Sequence, residues 1–265
     1  MMLSLVASVG LMGGLQAQSV LTKQQLAAIA RLDALTIPTP GEFFVAMDKA
    51  GQPNWTQLFS SQSAALTSSR EQMALMLGVL VADGYIAVEA QDSQGVKNTG
   101  KDIINLAKKL NVSQGILGRG NSISDFAENN DWAVLREELE ATQNEVKLAM
   151  AEQKDDSLVT LVTVGAWVRG TQVAAGYIAA SYSPELAELL RQPSIVQFLL
   201  GQLAKLPEKN RATSQVVAVT GGLEAVLKIV SADPGQPLSS EAVSTLSAAM
   251  AGVVKMIAEV PKEES

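Results

Sequence analysis

One segment of the sequence occurs twice, and a repeat of this kind limits how the rest of the chain can be organised. Residues 78–87 read GVLVADGYIA and residues 170–179 read GTQVAAGYIA, with seven identities in ten at an offset of 92 positions. The shared Gly-Tyr-Ile-Ala ending is the informative part, because the chain holds only three tyrosines. The match predicts an internal duplication with helical halves at 64–153 and 157–260. The alternative is a chance match between alanine-rich helices.

Each copy carries small residues spaced by four along its helix. They are Ala74, Gly78 and Ala82 in the first copy, and Ala166, Gly170 and Ala174 in the second. Residues four apart share one face of a helix, and small side chains there let another backbone approach closely. We therefore expect the two copies to pack against each other along this seam, or to occupy equivalent places in two similar halves.

The pattern along the chain is helix, short breaker, helix, rich in Ala, Leu, Gln and Glu, and it predicts no strand. The fold class is therefore all-α, a multi-helix bundle of about ten helices. A turn is predicted over 92–98 and a glycine-rich loop over 111–121, with a helix start at Ser122 followed by Asp125. The predicted helices are 23–35, 42–50, 55–60, 64–91, 100–110, 132–153, 158–182, 184–191, 193–206, 211–231 and 239–259.

The N-terminal twenty residues are apolar and small, and the first charge is Lys23. Residues 1–17 are predicted to be a secretory signal peptide, with an uncleaved membrane anchor as the alternative. The mature chain would begin near Gln18, and 18–63 would form an N-terminal helical segment. The predicted location is therefore the periplasm or the exterior of the cell.

Composition excludes several kinds of chemistry. The chain contains no cysteine and no histidine, which removes disulfides, histidine-based catalytic triads and the usual zinc sites. Its net charge is −7, without a basic stripe, so nucleic acid is a poor partner. We predict no cofactor, no metal and no catalytic residue.

Asp83 and Arg169 each interrupt an otherwise apolar helix, Asp83 just before Gly84-Tyr85 and Arg169 just after Trp167-Val168. Together with Tyr85 and with Tyr177, the tyrosine of the second copy, they are the candidate binding residues of the two helices. A charge buried alone costs several kcal/mol, so each must find a partner or reach solvent. One hypothesis is that Asp83 and Arg169 bond to each other or line one polar pocket beside the seam. The alternative is that each side chain extends to solvent from a half-exposed helix face.

Arg119 lies in a glycine-rich stretch, 113–122, that superficially resembles an anion-binding turn before a helix start. It lacks the Gly-Lys-Ser/Thr ending of a phosphate loop, and an ordinary connection explains it as well. Carboxylates that could serve a hydrolase also occur in pairs along the chain. The candidates are Asp125 with Glu128, Asp131 beside Trp132, and Glu137 with Glu140.

The run 158–182 is long enough to span a membrane, but Arg169 and Gln172 sit at its centre, and Asp83 interrupts the first copy. We therefore expect core helices, and no transmembrane helix after signal cleavage. The predicted function is a non-enzymatic structural, scaffolding or binding role in the cell envelope, with a protein or small-molecule partner. The alternatives are a small-molecule-binding protein with a pocket between the halves, and a carboxylate-based hydrolase.

Overall fold

A computed structural model describes residues 40–60, 69–112, 119–152 and 155–259, and within these ranges it contains α-helices and no β-strand. The predicted all-α multi-helix bundle is confirmed. The helices are α1 (Pro40–Gly51), α2 (Trp55–Leu58), α3 (Arg70–Glu89), α4 (Ser93–Lys109), α5 (Gly120–Asn129), α6 (Trp132–Glu152), α7 (Asp156–Ala180), α8 (Pro184–Glu188), α9 (Pro193–Ala204), α10 (Glu208–Arg211), α11 (Ser214–Ser231) and α12 (Ser240–Ala258).

Most long helices begin at a serine or aspartate that caps the first turn. The side chain accepts a hydrogen bond from the backbone N–H three residues later, at 2.9–3.2 Å, which satisfies a donor that has no partner inside the helix. The capping residues are Ser69, Asp92, Asp155, Ser183 and Ser239. These local signals explain why the predicted helix starts near 184 and 239 are close to the observed ones.

Two predicted boundaries are wrong. The predicted turn over 92–98 is the start of α4, because Asp92 caps the helix and Val96 is buried on its inner face. The apolar spacing did not indicate this start, because the first residues of the helix are polar. Helix α5 begins at Gly120 and not at Ser122, and its flanking residue Arg119 makes no capping hydrogen bond through its side chain.

Helices α3 and α7 form the centre of the bundle and share the most extensive contact between any two helices. Gly78 of α3 lies against Val162 and Ala166 of α7, and farther along both helices Asp83 bonds to Arg169, so the two run parallel. Both are apolar around their whole circumference, which is typical of a helix enclosed on all sides.

Antiparallel helices surround this central pair. Helix α4 returns along α3 after a short turn at Ala90–Asp92, and α6 runs back along α3 from Glu89, which binds Arg136 at the start of α6. The end of α12 meets the start of α3, where Gln72 binds the carbonyl of Ile257. Helices α11 and α12 pack side by side as a hairpin at the periphery.

Four described helices, α3, α7, α11 and α12, are long and apolar enough to cross a membrane, judged by length and composition alone. They differ in their surroundings. Of the most apolar stretch of each helix, 89% is buried in α3 and 78% in α7, against 33% in both α11 and α12. Two of the four are therefore enclosed by the protein itself, and two are largely uncovered.

Some predictions concern residues outside the described ranges. These are the signal peptide at 1–17, the helix at 23–35, the first part of the helix predicted from 64, the segment 113–118 of the glycine-rich loop, and the C-terminal tail. The internal duplication likewise stays a prediction.

Candidate functional site

The polar centre of the bundle is the ion pair between Asp83 of α3 and Arg169 of α7. Arg169 Nε donates to Asp83 Oδ1 at 2.7 Å, and the two side chains are 2% and 0% exposed for arginine and aspartate respectively. The hypothesis that these residues bond to each other is confirmed, and the alternative that each reaches solvent is wrong. The pairing has a simple cause: two parallel apolar helices in close contact leave each charge no other route to neutralisation.

The remaining donors of Arg169 are also used inside the protein. One terminal nitrogen donates to the side-chain oxygen of Gln172, one turn further along α7. The other donates to the carbonyl oxygen of Ser60 at 2.8 Å, at the end of the segment that follows α2. Arg169 therefore joins α7, α3 and the chain leading out of α2, and its guanidinium has a partner on each nitrogen.

The two repeat tyrosines hold the two ends of α1. Tyr85 packs so closely on Gly41 that an added Cβ there would lie 2.7 Å from the ring, and a Cβ on Gly51 would lie 2.8 Å from the Tyr177 hydroxyl. Tyr177 also donates to the Gly51 carbonyl at 2.7 Å. Between these ends, Phe44 is fully buried and meets Trp55 edge to face at 5.3 Å between ring centroids.

Burial dominates the titration of Tyr85. Its hydroxyl donates to Gln143 Oε1 at 3.0 Å in the interior, and 1% of the residue is exposed. Desolvation raises the pKa of Tyr85 above its ordinary value, and the nearby carboxylates Glu140 and Glu42 raise it further because they repel a phenolate. Tyr85 is therefore a neutral hydrogen-bond donor, poorly suited to act as a base or a nucleophile.

The helices that carry the two copies pack closely, but the close approach does not include every residue of the predicted seam. A Cβ on Gly78 would lie 2.0 Å from the Val162 carbonyl oxygen and 2.6 Å from the Ala166 amide nitrogen, so Gly78 and Ala166 do meet at the seam. The prediction that Gly170 lies at this close approach is wrong: its nearest neighbour is the Phe44 ring, at 3.8 Å. Gly165 takes its place, with the Leu75 carbonyl 2.0 Å from a would-be Cβ.

The other small residues of the predicted seam are all buried: Ala74, Ala82 and Ala174 at 0% exposed and Ala166 at 3%.

Arg119 is separate from this centre. Its guanidinium binds Glu138 of α6 at 2.9 Å, and both side chains are partly exposed. Four of the five carboxylates considered for a hydrolase, Asp125, Glu128, Asp131 and Glu137, are exposed, and Glu128 pairs with Lys97 at 2.6 Å. The fifth, Glu140, is half-buried beside Gly41. Within the described ranges, no three acidic side chains are grouped closely enough to hold a metal ion.

Sequence reasoning missed three consecutive residues at the start of α3 that join distant parts of the chain. Arg70 binds the Leu110 carbonyl at 3.3 Å and the Asp155 carboxylate at 2.8 Å. Glu71 accepts from Asn210 at 2.8 Å, and Gln72 donates to the carbonyls of Ile257 and Glu259 at 2.9 and 2.8 Å. Arg70, Glu71 and Gln72 thus tie the end of α4, the start of α7, helix α10 and the end of α12 to one helical turn.

Arg136 was missed as well. It binds both carboxylate oxygens of Glu89, at 2.7 and 2.8 Å, in the two-pronged geometry that suits a guanidinium. The hydrogen bond to Glu89 raises the pKa of Arg136 above its ordinary value. The contact joins α6 to the end of α3, so it links two helices by an ion pair, as Asp83 and Arg169 do.

One small cleft lies beside the central helices, between the start of α1 and α7. Its lining is Pro40, Phe43, Ala166, Trp167, Gly170, Thr171 and Gln192. Neither Asp83 nor Arg169 contributes to it, and neither do the two repeat tyrosines. The Trp167 indole donates to Gln192 Oε1 at 3.3 Å across this region, so the polar groups of the lining are bonded to each other.

Taken together, the site residues hold helices together. The sequence matches no protein-family model, and neither a curated protein nor a solved structure is significantly similar to it. Function therefore has to be argued from the geometry of this chain alone.

Proposed function

We propose that this chain is an exported, non-enzymatic helical protein with a structural or binding role in the cell envelope. The observation that carries the proposal is that the central polar side chains bond between segments of the bundle. Asp83 and Arg169 join α3 to α7, while Tyr85 and Tyr177 bond from these helices to α6 and α1. Groups already engaged in this way stabilise a scaffold, and they are poorly placed to take up a substrate.

Composition supports the same proposal. Without histidine, proton transfer near neutral pH would fall to carboxylates whose pKa is raised, or to lysines whose pKa is lowered. Four of the five carboxylates first considered for a hydrolase are exposed, and the half-buried Glu140 is not exposed together with its predicted partner Glu137, which makes that alternative the weaker one. The partner would be a protein or a small molecule, because the net charge of −7 disfavours binding to nucleic acid.

The alternative of a small-molecule-binding protein would use the cleft at Trp167 and Gln192. Ligand pockets are usually wide enough to enclose most of a ligand, with polar groups converging on it. This cleft is small, and its tryptophan and glutamine already bond to each other. It therefore supports binding of a ligand less well than the bridging contacts support a scaffold.

Export rests on the N-terminal sequence, and a direct experiment tests it. The full chain would be expressed in a Gram-negative host, the periplasm released by osmotic shock, and the mass of the intact protein measured in each fraction. We expect a soluble periplasmic or secreted chain that begins at Gln18. A chain that keeps residues 1–17 and stays in the cytosol or the membrane would contradict the proposal.

A further inference from the structure

Helices α11 and α12 are as apolar as the central helices, yet the protein leaves most of their surface uncovered. Only 33% of the apolar stretch of each is buried, against 89% in α3. Val217 on α11 is 57% exposed, the highest value among the large hydrophobic side chains that the structure describes. The other exposed residues of the two helices are small or polar, so the outer side is open to close approach by another helix.

Two of the three glycines on these helices face open space, as Gly100 of α4 and Gly201 of α9 also do, while Gly222 packs on Val253. A Cβ built on Gly221 or on Gly252 would meet no atom within 4 Å. Glycine inside a helix costs roughly 0.5–1 kcal/mol relative to alanine, and nothing within the described chain approaches closely enough to require it here. The absent side chain leaves room on the outside of the bundle.

The outer face of α12 has a charge order that is complementary to itself. This face consists of Glu241, Ser244, Thr245, Ala248, Ala251, Gly252 and Lys255, all exposed. These residues cover about a third of the helix circumference. One end is acidic and the other basic, with only small residues between them.

We propose that this outer face of α12 is a self-association surface, on which a second copy of the chain packs its own α12 antiparallel, about a two-fold axis near Ala248. In that arrangement Glu241 of each copy lies opposite Lys255 of the other, because the two residues are equally distant in sequence from Ala248. A two-fold contact uses the same patch on both partners and must be self-complementary in this way. The inference extends beyond the proposed envelope role and does not depend on export.

The hydroxyl groups on this face do not oppose its burial. Ser244 donates to the Ser240 carbonyl at 2.9 Å, and Thr245 donates to the Glu241 carbonyl at 2.9 Å. Both hydroxyls therefore keep a partner when water is removed, which avoids the cost of an unsatisfied buried polar group. Lys255 also lies 3.5 Å from Glu259 of its own helix, so in the pair it would bridge two carboxylates.

A lipid surface fits these helices less well than a second copy does. Membrane-bound faces carry large apolar anchors such as Trp, Phe and Leu, with basic residues beside them. The outer face of α12 has no side chain larger than threonine between its two charges, and the neighbouring helix α11 exposes Glu224. Close helix pairing is favoured by small residues, and lipid insertion by large ones.

The test is the mass of the full chain in solution, measured by equilibrium sedimentation over a concentration series. We expect a dimer, and we expect Glu241→Lys and Lys255→Glu each to raise the dissociation constant on the order of tenfold, because each places two like-charged pairs across the contact. The double variant Glu241→Lys/Lys255→Glu exchanges the charges and should restore the dimer. Matched controls are Glu137→Lys on α6 and Lys101→Glu on α4, which are exposed elsewhere and should leave the mass unchanged.

Three results would overturn the inference. The first is a wild-type chain that stays monomeric at about 100 µM, a concentration that would populate even a weak specific dimer. The second is a dimer that the charge variants do not affect, or that the double variant fails to restore. The third is a monomer that sediments with lipid vesicles of mixed neutral and anionic composition. Circular dichroism of each variant checks that the fold is retained.

Discussion

Glycine lies on two helix surfaces of this molecule, with opposite surroundings. On the inner surface, between α3 and α7, Gly78 and Gly165 face backbone atoms that an added Cβ would approach to 2.0 Å. On the outer surface of α11 and α12, Gly221 and Gly252 face nothing within 4 Å. Packing inside the chain therefore explains the inner glycines. It does not explain the outer ones.

The two surfaces therefore differ in what they contribute to the stability of the fold. The inner surface brings two helices close enough to enclose an ion pair, so its small residues serve stability. The outer surface also consists mainly of small residues, but its glycines pack against nothing in the described part of the bundle. We therefore assign the inner surface to folding and the outer surface to association, and variants on each should behave differently.

The largest effect is expected from breaking the central pair. Asp83→Ala leaves the buried guanidinium of Arg169 without its countercharge, and the free energy of unfolding should fall by about 3–5 kcal/mol. Urea denaturation followed by circular dichroism measures the change. Replacing both partners, as in Asp83→Leu/Arg169→Met, should recover most of the loss, because no charge then remains buried. A loss below about 1 kcal/mol for Asp83→Ala would mean that water reaches the pair.

The inner glycines should tolerate substitution poorly. In Gly78→Ala or Gly165→Ala the new methyl group meets a carbonyl oxygen of the facing helix, and the helices must separate. We expect a loss of about 1–3 kcal/mol in the free energy of unfolding. Gly170→Ala is the matched control: the Phe44 ring lies 3.8 Å from the position of its Cβ, so it should cost less. Equal losses at Gly78 and Gly170 would show that Gly170 also lies at a close helix contact, as predicted from the sequence.

Alkaline pH tests whether the inner region is dry. Burial raises the pKa of Tyr85 above its ordinary value of 10.0, so the folded state keeps this proton where the unfolded state loses it. The stability from the neutral tyrosine is nearly complete at pH 9 and falls as the pH rises through 10, by about 1.4 kcal/mol in total between pH 9 and pH 11. Denaturation between pH 9 and 11 measures this slope. Tyr85→Phe should flatten it by that amount, and an unchanged slope would show that the phenol ionises freely in the folded protein.

The smallest effect is a gain in stability on the outer surface. Gly221→Ala and Gly252→Ala should each raise the free energy of unfolding by roughly 0.5–1 kcal/mol, because alanine favours the helix and meets no neighbour. The free energy of unfolding should be measured in the Glu241→Lys variant, because that chain is expected to be monomeric. A loss of stability there would show that these glycines pack against the chain itself, and the contrast between the two surfaces would fail.

Local signals predicted much of this architecture. Capping residues such as Ser183 and Ser239 fixed helix starts, and the two charges in apolar helices indicated a pair, because a buried charge cannot remain alone. The small-residue stripe around Gly78 correctly indicated a close helix contact. These inferences succeeded because each depends on neighbours in sequence or on one unavoidable physical cost.

What failed depends on how distant segments fit together. Gly170 was predicted to belong to the seam, but the Phe44 ring lies beside it and Gly165, which was not predicted, meets Leu75. The partners of Arg70 and Gln72 lie up to 187 positions away, and nothing near α3 in sequence specifies them. The start of α4 was missed because its first residues, Ser93 and Gln94, are polar and Val96 alone shows no apolar spacing.

The contrast between the two surfaces can be tested most directly with a single cysteine, since the chain has none of its own. Ala248→Cys places one thiol at the proposed two-fold axis, where it meets the same thiol of the second copy. Under mild oxidation we predict rapid formation of a disulfide-linked dimer, while Ala204→Cys on the exposed end of α9 stays largely monomeric. Equal, slow cross-linking of both variants would contradict the account, because it would show that copies of the chain meet only by random collision.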